Sequence, residues 1–290
     1  MKGILLAGVQ GSRLWPTTNA VSKHLLPIYD KPLIFYPLSV LMLAGIRDIL
    51  IISDEVNLPL YQRHFDDGSN LGIKISYKIQ EKPNGIAESL IIGEDFIDNE
   101  SVALILGDNI FFGHYFGSIL LETIENFSDG AHVFAYHVKD PRRFGVIEFD
   151  EENNILNINE KPKNPQSNYI IPGLYFYDSD ATKIAKNLTP SKRGELEITD
   201  LNLEYLKRKK LKCTKLWRGF AWLDTGTPDS MLEASHYVQT IERAQGYKIA
   251  CLEEIAFNNK WISKSELIDL IKSYPNNALE EYFSFLNKND

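Results

Sequence analysis

Short continuous apolar runs alternate with longer stretches in which apolar residues recur at helical spacing. Gly3–Ala7, Asp48–Ile52, Ile73–Ile79, Val102–Leu106 and His132–Val138 read as strands, several of them apolar enough to be buried on both faces. Between them, Pro32–Ala44, Leu58–Phe65, Ile86–Phe96 and Ser118–Asn126 have helical periodicity, and Pro32 suits a first helical turn, where its missing N–H does no harm. Such alternation predicts an α/β fold with a mixed, mostly parallel central sheet flanked by helices. The second half changes rhythm. Phe144–Phe149, Ile155–Asn159 and Ile171–Tyr177 read as strands, followed by helices near Ser179–Asn187 and Glu197–Arg208. A strand pair is then expected at Lys212–Leu216 and Phe220–Leu223, followed by a long helix over Pro228–Ala244. After Gly246 the chain is helical and polar on one side. The expected organisation is one Rossmann-like α/β domain over residues 1–245, with a C-terminal helical appendage at 246–290 packed on it.

Composition narrows the function. The chain has 290 residues, 44% apolar and 24% charged, as a soluble globular protein would. Its formal net charge of −8 argues against nucleic acid as a partner. Cys213 and Cys251 are too few and too far apart for a zinc site or a disulfide framework, so reduced thiols in the cytoplasm are expected. The opening apolar run is too short for a signal peptide, and no run reaches membrane-spanning length.

The first strand leads into Gly8-Val9-Gln10-Gly11-Ser12-Arg13-Leu14-Trp15-Pro16. Glycines and a hydroxyl after a strand can aim backbone N–H groups at phosphate oxygens, and Arg13 and Lys23 offer cations of complementary kinds. The spacing satisfies neither the dinucleotide fingerprint nor the P-loop, which makes a Rossmann dehydrogenase a poor fit. By itself the segment equally reads as a plain turn with a surface arginine. Asp108 and Asp224 each follow an apolar strand. That position suits either a turn or helix cap, or a carboxylate at the ligand-binding edge of an open sheet. Glu160-Lys161 reads as a solvated turn pair, Gln80 as a strand end, and Arg193 as a partner for Glu195 or Glu197.

Taken together, these segments are more specific. Leu6 to Pro16, Ser22-Lys23-His24-Leu25-Leu26-Pro27 and Asp30-Lys31-Pro32 resemble the signature of the glucose-1-phosphate thymidylyltransferases. The resemblance continues through Leu106-Gly107-Asp108-Asn109-Ile110-Phe111, Phe144-Gly145-Val146, Asn159-Glu160-Lys161-Pro162 and Gly173 to Tyr177. It extends over Arg193 to Asp200, Trp222 to Thr227 and Glu253 to Phe257, in consistent order along essentially the whole chain.

The resemblance implies Mg²⁺-dependent transfer of a nucleotidyl group from dTTP to glucose-1-phosphate, giving dTDP-glucose and pyrophosphate for deoxysugar or surface-polysaccharide precursors. It implies Asp108 and Asp224 as metal ligands and Arg13, Lys23 and Lys161 as phosphate-handling cations. It places the nucleotide on Leu6, Gly8, Gly11, Ser12, Arg13, Gln80, Pro83, Gly85 and Asp108. The sugar falls to Asn109, Gly145, Glu160, Lys161, Ile171, Tyr175 and Arg193. A cytoplasmic homotetramer with a second, regulatory nucleotide site is also implied. Three positions depart from the pattern: Val9 replaces a second glycine, and His24 and Glu88 stand where glutamine is usual. They bear on nucleotide preference rather than reaction type. The alternatives are the same chemistry with UTP or another hexose-1-phosphate, and a silent nucleotide-sugar-binding regulatory subunit.

Overall fold

The computed structural model describes residues 1–8, 11–275 and 278–289. Val9, one of the three departures expected to bear on nucleotide preference, lies outside them. Apart from a two-residue ladder of Pro27–Ile28 with Lys31–Pro32, the first half supplies β1 (Lys2–Leu6), β2 (Asp48–Ser53), β3 (Lys74–Ile79), β4 (Val102–Leu106) and β5 (Asn109–Gly113). Seven more follow: β6 (Ala131–His137), β7 (Gly145–Phe149), β8 (Ile155–Glu160), β9 (Tyr169–Ile170), β10 (Leu174–Tyr177), β11 (Leu211–Leu216) and β12 (Phe220–Asp224). The main sheet runs β8-β7-β9-β6-β10-β4-β1-β2-β3, with β11 added parallel to β6. Strands β4, β1, β2 and β3 are mutually parallel, and β10 is antiparallel to β4.

The parallel strands are apolar throughout because both faces are covered. Leu5, Ile49, Ile51, Ala103 and Ile105 pack on one side, while Ile4, Leu6, Leu50, Ile52 and Leu104 pack on the other. The chain grows outward from β1 through β2 to β3, then returns to place β4 on the opposite side of β1. That reversal opens a crevice beyond the carboxyl ends of β1 and β4, where open α/β sheets bind ligands. Gly8 follows β1 and Asp108 follows β4, so both lie at its mouth.

Several local expectations are corrected. Pro32 does not open a helix: it faces Pro27 in a two-residue antiparallel ladder, and the helix is Phe35–Leu43. Leu33 N–H and Ile34 N–H are spent on the Leu26 and His24 carbonyls, which keeps this stretch out of the helix. The Ile86–Phe96 periodicity becomes two short helices, Glu88–Ile92 and Glu94–Ile97, which meet at Gly93. The strands β11 and β12 do not pair with each other: β11 joins β6, and β12 runs antiparallel to β5 in a separate two-stranded sheet.

The long helix spans Pro228–Gln245, begins with a Thr227–Ser230 capping box and ends on Gly246 in the left-handed conformation. Beyond it, helices Leu252–Asn258, Lys264–Ser273 and Ala278–Asn289 bring Leu252, Ala256, Leu267, Ile271 and Tyr282 into the same apolar cluster as Leu38 and Leu41. Among the described residues, no helix is long and apolar enough to cross a membrane. Both cysteines are free.

Candidate active site

A cavity of about 700 Å³ occupies the crevice. The segment after β1 forms one wall. Gly11 has φ +63° and its Cα lies over Lys23, so that an added Cβ would stand 3.0 Å from Lys23 Cβ. Only glycine combines that conformation with that approach. It lets the Ser12–Leu14 turn fold over the lysine and present Ser12 and Arg13 to the cavity. Gly11 itself is packed beneath this turn and does not line the cavity.

Strand β4 delivers Asp108 and strand β12 delivers Asp224. They share the cavity because Asp224 registers with Asn109, the residue after Asp108. Lys23, 2% exposed, places its Nζ 2.6 Å from Asp108 Oδ2, while Asn109 Nδ2 donates to Asp108 Oδ1 at 2.8 Å. Burial pushes the Asp108 carboxyl up, but Lys23 and these hydrogen bonds outweigh it and hold it below the ordinary carboxylate range. Asp224 goes the other way: burial and the neighbouring Asp108 charge raise it, and Lys23, Arg143 and Arg13 only partly offset them. Arg143 Nη2 reaches Asp224 Oδ2 at 3.1 Å.

Two carboxylates that repel each other amid fixed cations are an oxygen-only donor set. That set fits a hard divalent cation keeping several waters, as Mg²⁺ does. Among the described residues no three His, Cys, Asp or Glu side chains gather as a metal cage would require. Beside them, His24 is fully buried, which holds its imidazole down to about 4. Its Nδ1 faces the Ser22 and Tyr61 hydroxyls, and its Nε2 has no partner among the described residues.

The opposite wall comes from the antiparallel half. Strand β8 ends at Glu160, and Lys161 follows with φ +43° and Nζ 3.0 Å from Glu160 Oε1. Thr199 Oγ1 donates to Glu160 Oε2 at 2.5 Å, and Gly145 lies against both, since an added Cβ would stand 3.2 Å from Thr199 Oγ1. Ile171 and Tyr175 supply apolar wall, and burial raises the Tyr175 phenol far above its ordinary range. Asn109 also lines the cavity, but its Oδ1 already accepts from Gly173 N at 2.9 Å and Trp222 Nε1 at 2.6 Å. Arg193 reaches the cavity with its guanidinium held by Glu197 at 2.8 Å and Glu160 at 3.5 Å.

At the far end Leu6, Gly8, Gln80, Pro83 and Gly85 line a cleft. Gly85 has φ +115°, and a Cβ there would overlap the Leu196 backbone, so the glycine joins two walls of the site.

Of the residues expected from sequence, all but Gly11 and Lys23 line this one cavity, and Lys23 touches it through Asp108. Sequence reasoning missed Arg143, Thr199 and Trp222. The Arg142-Arg143 doublet directly before Phe144-Gly145 was a usable signal for the first. The partnership of Trp222 with Asn109 depends on the pairing of β5 with β12 and had no local signal.

The fold and the cavity are those of a nucleotidyl transferase, and the nucleotidyl transferase family model matches residues 2–241: the chain belongs to that family and is an enzyme of nucleotidyl transfer. It is 53% identical over 286 residues to the glucose-1-phosphate thymidylyltransferase of Neisseria gonorrhoeae, with 99% of each chain covered. A solved Bacillus anthracis chain in complex with a sucrose is 40% identical with a TM-score of 0.75, covering 82% of this chain and 94% of that one. The structure of a UDP-glucose pyrophosphorylase complexed with UDP-glucose is 26% identical with a TM-score of 0.72, covering 83% and 98%.

Proposed function

We propose that this chain transfers the thymidylyl group of dTTP to glucose-1-phosphate, giving dTDP-glucose and pyrophosphate. The observation that carries the reading is the convergence of Arg13, Asp108, Asp224 and Lys161 on one cavity at the carboxyl edge of the sheet. A phosphate oxygen of the sugar phosphate attacks the α-phosphorus in line. The new O–P bond forms as the bond to the β-phosphate oxygen breaks, and its electrons leave with pyrophosphate. No protein nucleophile is needed, so the chain acts by positioning and charge.

Arg13 and the amides of its turn receive the developing charge on pyrophosphate. Lys161 aligns the attacking phosphate, and Glu160 holds sugar hydroxyls against Ile171 and Tyr175. Lys23 fixes Asp108 and adds positive potential beneath the phosphates. Asp108 and Asp224 would hold Mg²⁺, which when bound supplies charge neutralisation at the α-phosphoryl group. We also place the enzyme in the cytoplasm as a homotetramer, with residues 1–245 as the catalytic unit and 246–290 as its appendage. Sedimentation at two concentrations tests the assembly, and a monomer at both would refute it.

The test of the reaction is pyrophosphate release measured for dTTP, UTP, dCTP and ATP, each with several hexose-1-phosphates. The expected result is the highest kcat/KM for dTTP with glucose-1-phosphate. A clear preference for UTP or for another sugar would replace the substrate assignment. Release with no pair would leave a nucleotide-sugar-binding subunit.

A further inference from the structure

Gln80 is a buried amide, 5% exposed, at the end of β3 and at the edge of the nucleotide cleft. Its described side-chain hydrogen bonds both leave from Nε2: one to Glu88 Oε2 at 2.7 Å and a longer one to the Gly85 carbonyl at 3.4 Å. Asn84 Nδ2 donates to the other oxygen of that carboxylate, Glu88 Oε1, at 2.8 Å, which fixes Glu88 in turn. Oε1 of Gln80 points the other way, towards Gly8, where an added Cβ would stand only 2.9 Å from it. Gly8 therefore leaves this oxygen room to face the cleft.

A free amide can present either its oxygen or its NH₂ by rotating about its last bond. Here rotation would set Gln80 Oε1 against a carboxylate oxygen and a carbonyl oxygen, exchanging two attractive contacts for two repulsive ones. An ionised carboxylate only accepts, so Glu88 leaves one orientation.

We infer that Glu88 is a positioning residue for base selection: by holding the NH₂ of Gln80 it makes Oε1 a fixed acceptor that takes an imide N3–H and rejects cytosine, whose N3 is itself an acceptor. This rests on the proposed reaction and on the expectation that Gln80, one of the residues the family resemblance implies for the nucleotide, meets its base. Thymine and uracil both carry the N3–H, so the device separates imide bases from cytosine and not thymine from uracil. A site that fixes the polarity of one buried polar group discriminates through the cost of leaving that group unpaired with the wrong base.

The experiment measures kcat/KM for dTTP and dCTP with glucose-1-phosphate in the wild type, Glu88→Met and Glu88→Gln, and repeats Glu88→Met in a Gln80→Ala background. Methionine keeps the length and helix propensity of Glu88 but offers no comparable acceptor. The dTTP/dCTP ratio is expected to fall at least about tenfold in Glu88→Met, the scale of one hydrogen bond to a charged group. The change should lie in KM more than in kcat. Glu88→Gln, whose carbonyl can still accept from Nε2, should keep the ratio within about threefold. In the Gln80→Ala background Glu88→Met should leave the ratio unchanged. A ratio preserved in Glu88→Met, or lowered as far without Gln80 as with it, overturns the inference while the reaction stands. If Glu88→Met does not fold, a tenfold loss of the ratio in folded Glu88→Gln overturns it, and a retained ratio supports it. A wild type that releases no pyrophosphate from dTTP overturns the reaction, and the inference falls with it.

Discussion

Lys23 Nζ lies 2.6 Å from Asp108 Oδ2, with the lysine side chain 2% exposed and the aspartate 17%. A buried ion pair of this kind costs desolvation, and removing one member strands the other. Lys23→Met and Asp108→Asn should each lower the unfolding free energy by about 3 kcal/mol. The double variant should be more stable than the sum of the two losses, in a denaturant-unfolding cycle. Asp108→Asn should also lower turnover at least ~10²-fold. Additive stability losses would show that the pair is not coupled.

Arg13 depends on the absence of a side chain at Gly226. A Cβ there would stand 3.0 Å from Arg13 Nη2 and 3.1 Å from Asp224 Oδ2, so Gly226→Ala must displace one of two groups assigned to the reaction. Turnover in Gly226→Ala is expected to fall about tenfold with little change in Tm, and in Arg13→Ala about 10²-fold. Steady-state kinetics with matched thermal melts check both, and near-normal turnover in folded Arg13→Ala would remove its assigned role.

Asp108 and Asp224 already carry Lys23 and Arg143 as counter-charges. Chelation should therefore abolish pyrophosphate release while leaving the melting temperature within about 2 °C, and added Mg²⁺ should restore activity. A large loss of stability on chelation would assign the metal a structural role instead.

His132 gives a pH signature remote from the cavity. Burial, and then the Lys212 charge, hold its imidazole down to about 4, and its Nε2 lies 2.9 Å from Thr214 Oγ1. The folded state keeps this ring neutral, whereas the unfolded chain takes up the proton near 6.5. Its stabilising contribution is fully present above pH 6.5 and is lost as pH falls towards 4. His132→Gln should flatten the fall in unfolding free energy between those values by on the order of 2–3 kcal/mol relative to wild type, measured by denaturant titration at several pH values.

Much of the site was legible because its parts follow short segments with strong local character. Asp108 sits one glycine beyond five consecutive apolar residues, Val102–Leu106, and such a run is a strand whichever partners it finds. The same holds for the long helix after Thr227, whose cap and glycine stop are written in neighbouring residues. Pro32 failed as a guide because its ladder with Pro27 depends on a turn closing over Ile28 to Lys31, not on its own preference for a helix start.

The sequence by itself determined the α/β alternation, the buried strands and, through motifs spread along the chain, the class of reaction. Tertiary structure alone decided that β12 joins β5 rather than β11, which brings Asp224 beside Asp108. It also decided that Lys23 meets Asp108 across 85 positions and that Arg143 meets Asp224 across 81. It gave the Gln80 amide its direction. The reason is physical. Periodicity and caps are set by atoms a few residues apart, whereas pairing partners and amide polarity are set by whichever distant groups the packed core brings within hydrogen-bond reach.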